Sequence, residues 1–63
     1  MERNVRKIKR RLLSEGWVLQ KSKGKGSHVT FSKRTTSILV PSGKNGELGT
    51  GIASSIAKDA GWE

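Results

Sequence analysis

Residues 28–41 read HVTFSKRTTSILVP, two short apolar runs on either side of a polar turn. In 28–32, Val29 and Phe31 fall on one side of an extended chain, and His28, Thr30 and Ser32 on the other. That period of two is the signature of a half-buried strand. Residues 33–36 are polar and suit a turn. The run SILV at 37–40 is a second strand, stopped by Pro41, which has no N–H to give to a ladder. A connection this short joins neighbouring strands antiparallel. With Val29 and Phe31 toward a core, His28 and Thr30 lie on the open face, so the histidine is expected to be exposed.

Upstream, residues 17–23 begin WVLQ and turn basic, which makes a first strand. Gly24-Lys25-Gly26 then provides a glycine-rich hairpin break. Residues 3–14 predict a helix, with Val5, Ile8 and Leu12 at i, i+3 and i+7 and Leu13 widening the stripe. Arg3, Arg6, Lys7, Arg10 and Arg11 fall on the opposite arc, and Lys9 sits near the apolar edge, where its stem can lie along it. Gly16 suits a left-handed helix end. The apolar face is narrow and a strand follows at once, which argues against a membrane-surface helix.

Downstream, PSGKNGELG at 41–49 is a loop, with three glycines, a proline and an Asn-Gly pair. Ile52, Ala53, Ile56, Ala57 and Ala60 then form a helical stripe, with Thr50 as the expected N-cap and Gly61 as the terminator. The order is α-β-β-β-α. This is an α+β fold, a three-stranded antiparallel sheet with both helices on one face, in a single domain over 1–63.

Sixty-three residues can support one small core only. There is no cysteine, hence no disulfide framework and no thiolate metal site. One histidine and five scattered acids give no obvious ligand cluster, so neither a metal nor a cofactor is expected. Thirteen Lys and Arg against five Asp and Glu leave a net charge of +8 and a pI near 10.7. An excess this large on so small a surface points to a polyanionic partner. No apolar run approaches the ~18–20 residues of a membrane span, and the start of the chain lacks a hydrophobic leader region. A cytoplasmic protein with no membrane partner is the expectation.

GKGS at 24–27 imitates a phosphate-binding loop but fails the pattern. Gly26 follows Lys25, no glycine stands at 19, and a strand rather than a helix comes next. A serine triad lacks a carboxylate near this turn. RNA cleavage demands less, because the substrate brings its own 2′-hydroxyl nucleophile. A histidine ordinarily titrates near ~6.5 and can move a proton around neutrality, help worth about 10²–10⁴-fold. Lys21, Lys23 and Lys25 are the candidates to bind phosphate and its developing charge. Gly24 and Gly26 would let an RNA backbone come close. Read from residues alone, a non-catalytic RNA- or DNA-binding module comes ahead of a nuclease. It would use the basic helix 3–11 and the open sheet face. A domain that docks an acidic protein is a third reading.

Four separated pieces, EGWVL (15–19), KGSHVTF (25–31), ILVP (38–41) and GTGIASSIAKDAG (49–61), together resemble the HicA family of bacterial mRNA-cleaving toxins. The resemblance covers most of the chain in order and spacing. It implies a double-stranded-RNA-binding-domain-like fold and a ribosome-independent endoribonuclease acting on mRNA, with His28 as the catalytic residue. It also implies a HicB-type antitoxin as partner, with Gly26 and Ser27 shaping the turn and Trp17 in core or edge packing. The loop after Pro41 is glycine-rich where the family more often has a histidine or further charges, so His28 stands alone.

Overall fold

The computed structural model describes residues 1–20 and 28–63. Its elements are α1 (Val5–Ser14), β1 (Val18–Gln20), β2 (Val29–Lys33), β3 (Thr36–Val40) and α2 (Thr50–Ala60). The strands form one antiparallel sheet in the order β1-β2-β3. The fold is therefore α+β with the expected order. The hairpin break at 24–26 and the continuation of the first strand to 23 lie outside the described residues.

Register assigns the two faces. Leu19, Phe31 and Ile38 form one cross-strand row, and Val29 pairs with Val40 on the same side. That side carries the core, in which Phe31, Ile38 and Val40 meet Ile8 and Leu12 of α1 and Ala53 and Ile56 of α2. Both helices therefore cover one face. The alanines of α2 are small enough to let its backbone approach the sheet. Trp17 is buried in the same cluster. No polar or charged side chain is buried among the described residues, as so small a core requires when it has no spare partners to satisfy one.

Two apolar residues expected in the helical stripes are not buried. Leu13 is 54% exposed and Ile52 47% exposed. Each lies ~100° round its helix from a buried neighbour, Leu12 or Ala53, and a three-stranded sheet is too narrow to cover the wider arc. Helix starts also differ from expectation. Asn4 caps α1, its side chain accepting from the Lys7 N–H at 3.0 Å. Gly49 rather than Thr50 precedes α2, and no side chain caps it. Thr50 is already the first helical residue, so its hydroxyl comes one position too late to cap.

The two helices end on the same device. Gly16 (φ 94°) and Gly61 (φ 80°) take left-handed conformations. The following tryptophan N–H then reaches back, Trp17 to the Leu12 carbonyl at 3.0 Å and Trp62 to the Ala57 carbonyl at 2.7 Å. This six-to-one closure is the Schellman motif. It turns each tryptophan back against the body of the protein.

The loop after β3 is structured. Asn45 (φ 54°) and Gly46 (φ 78°) occupy the centre of a two-residue turn closed by reciprocal backbone bonds between Lys44 and Glu47. Positive φ at both central positions is the type I′ turn that Asn-Gly favours. The turn is sewn to the start of the chain: Val5 N–H donates to the Gly46 carbonyl at 2.9 Å, and Leu48 N–H to the Arg3 carbonyl at 2.8 Å.

Candidate active site

His28 is exposed and stands immediately before β2. The next residue, Val29, pairs with Val40, the last residue of β3. His28 thus sits at the end of the sheet where β3 runs into Pro41. By strand parity it continues the series Thr30 and Ser32, which lies away from the helices. Thr30 is half-buried, between Gln20 on β1 and Leu39 on β3.

The described open face is Val18, Gln20, Thr30, Ser32, Ser37 and Leu39, a surface without a carboxylate. Gln20 Nε2 donates to Ser32 Oγ at 2.8 Å and ties β1 to β2 across it. A face that offers three hydroxyls, one amide and the exposed apolar side chains of Val18 and Leu39, with no acid among these residues to repel phosphate, is compatible with a polyanion lying over it. Of the candidate site residues, His28 and Thr30 share this side, two positions apart. Lys21, Lys23, Lys25, Gly24, Gly26 and Ser27 lie outside the described residues.

Two basic side chains have structural employment. Lys33 Nζ donates to the Glu15 carbonyl at 2.9 Å and lies 5.9 Å from the centre of the Trp17 ring. Arg11 was expected on the free cationic arc, but its Nε contacts Glu15 Oε2 at 3.1 Å and its guanidinium stacks 4.2 Å from the Trp62 ring centre. Trp62 completes this cluster by donating from Nε1 to Glu15 Oε1 at 2.7 Å. The Trp62 hydrogen bond, and then Arg11, hold the Glu15 carboxyl below its ordinary range. The i,i+4 spacing of Arg11 and Glu15 was a legible signal for their pairing. Trp62 is 47 residues from Glu15 and gave none.

Among the described residues, no three His, Asp or Glu side chains gather where they could hold a metal ion, and no helix is long and apolar enough to cross a membrane.

Comparison with known families gives a match over residues 5–62 to the HicA toxin of bacterial toxin–antitoxin systems. Comparison with curated proteins and with solved structures gives no match. The family match spans both helices, all three strands and the Gly-Trp ends of the helices. The chain belongs to the HicA toxin family.

Proposed function

We propose that this toxin is an endoribonuclease that cleaves mRNA by metal-independent acid–base chemistry at His28. It acts in the cytoplasm and is neutralised by a HicB-type antitoxin. The observation that carries the reading is the position of His28, exposed at the head of β2 beside an open face with no carboxylate among its described residues.

The chemistry asks little of the protein. The 2′-oxygen of the RNA forms a bond to the adjacent phosphorus while the bond from phosphorus to the 5′-oxygen breaks. One proton leaves the 2′-hydroxyl and one arrives at the 5′-oxygen. The products are a 2′,3′-cyclic phosphate and a 5′-hydroxyl. His28 handles one of these transfers or both in turn, and water, a lysine or the RNA supplies whatever it does not. Lys21, Lys23 and Lys25 hold the phosphate and its growing negative charge. Gly24, Gly26 and Ser27 shape the approach, and Thr30 extends the contact along β2.

Turnover of a labelled single-stranded RNA tests this. His28→Ala is expected to lower cleavage by about 10²–10⁴-fold and to abolish growth inhibition, with RNA binding retained. Cleavage by the wild type should persist in EDTA and leave cyclic phosphate ends. Full activity in His28→Ala refutes the assignment of the residue, and a strict need for a divalent ion refutes the mechanism. Binding assays alone cannot separate this reading from a non-catalytic RNA-binding module, because both give salt-sensitive affinity.

A further inference from the structure

The first two turns of α1 and the loop after β3 enclose an open cleft of about 530 Å³. Arg6 and Lys9 line it from the helix, and Ser42, Asn45 and Gly46 from the loop. Arg6 and Lys9 are three residues apart, so they project from the same side of α1. Two like charges so placed repel each other. The ion pair found among the described residues is Arg11–Glu15, so neither Arg6 nor Lys9 is matched there by a carboxylate. The opposite wall adds a hydroxyl from Ser42 and an amide from Asn45, neutral groups able to donate hydrogen bonds.

Two of the first-turn N–H groups of α1 are already engaged. Val5 N–H is taken by the Gly46 carbonyl and Lys7 N–H by Asn4 Oδ1. The cleft presents a pair of side-chain cations facing a polar loop, and the bonds of Val5 and Leu48 fix the distance between the walls. Its position is the second clue. The register ends with Val29 opposite Val40, which brings His28 to the level of Pro41, one residue before Ser42. The cleft and the histidine therefore lie at the same end of the sheet.

We propose that this cleft is an RNA-backbone subsite, in which Arg6 and Lys9 bind a phosphodiester that flanks the one cleaved at His28, with Ser42 and Asn45 as donors. The proposal rests on the endoribonuclease reading for its choice of ligand. Contacts of this kind position a nucleic acid and carry no base preference.

The test is the affinity of full-length His28→Ala for a labelled single-stranded RNA across a series of KCl concentrations. Two charge-matched variants are compared in that background: Arg6→Gln/Lys9→Gln in the cleft, and Lys7→Gln/Arg10→Gln elsewhere on α1. The cleft pair is expected to weaken binding more than its control. It should also flatten the slope of log affinity against log salt by about 0.7, the value for one phosphate of a single strand. Equal losses from both pairs would show diffuse attraction and overturn the subsite. Unchanged RNA affinity in the cleft pair, with loss of antitoxin inhibition in the active protein, would assign the cleft to a protein partner and overturn it as well. Should the double variant fail to fold by circular dichroism, Arg6→Gln against Lys7→Gln gives the same comparison. Cleavage retained by His28→Ala would remove the reading at His28, and the two-variant comparison would still decide the cleft.

Discussion

Gly43 is the residue on which the loop after β3 depends. It holds a φ of 72°. A Cβ there would collide with the Glu47 carbonyl oxygen and stand 2.7 Å from its carbon and 3.2 Å from Leu48 Cδ2. Neither backbone atom can yield without opening the Lys44–Glu47 turn. Gly43→Ala is therefore expected to cost more than the ~1–3 kcal/mol of a strained conformation alone. Gly46 also has a positive φ, but a Cβ there meets nothing within 4 Å. Gly46→Ala should cost less than Gly43→Ala. Urea midpoints of the two variants give the order, and equal midpoints would mean that the turn yields more easily than its bonds suggest. His28 is the contrasting case. An exposed residue outside the strand makes no packing contribution, so His28→Ala should shift stability by no more than about 0.5 kcal/mol.

At the scale of elements, the ends of α1 and α2 are joined by the cluster of Arg11, Glu15 and Trp62. The carboxylate of Glu15 accepts from Trp62 and contacts Arg11, both of which favour its charged form. A depressed carboxyl pKa contributes stability above its unfolded value and loses it as pH falls through the folded one. The contribution is thus present above about pH 4.5, the ordinary value for this group, and fades below it. Trp62→Phe keeps a ring under Arg11 and removes the donor. Acid unfolding followed by far-ultraviolet circular dichroism should show a smaller loss below pH 4.5 in the variant than in the wild type. Parallel acid curves would mean that the hydrogen bond does not couple the two helix ends.

For the molecule as a whole, the dominant quantity is a charge of +8 on 63 residues. Such a field attracts a polyanion and also strains the folded chain through self-repulsion. Salt screens both effects, with a Debye length near 8 Å at ~0.15 M. Raising KCl should therefore raise the melting temperature while it lowers affinity for RNA. A melting temperature that falls with salt would show that local ion pairing, such as Arg11–Glu15, outweighs the net repulsion.

The order α-β-β-β-α, the sheet and the glycine ends of both helices were legible in the chain because they depend on local rules. Alternation at Val29 and Phe31, the 3.6-residue period of Val5, Ile8 and Leu12, and the left-handed tolerance of Gly16 and Gly61 act within a few residues of each other. The same alternation brought His28 out to an exposed position. Other features needed the assembled fold. Leu13 and Ile52 obey the helical period yet stay in solvent, because the width of a three-stranded sheet sets how much of each helix is covered. Arg11 looked like one more cation of a solvated face until the C-terminal Trp62 arrived over it. The cleft at Arg6 and Lys9 exists only because the Asn45-Gly46 turn folds back on residues 3–5. Contacts between segments forty residues apart carry no periodic trace in sequence; packing decides them.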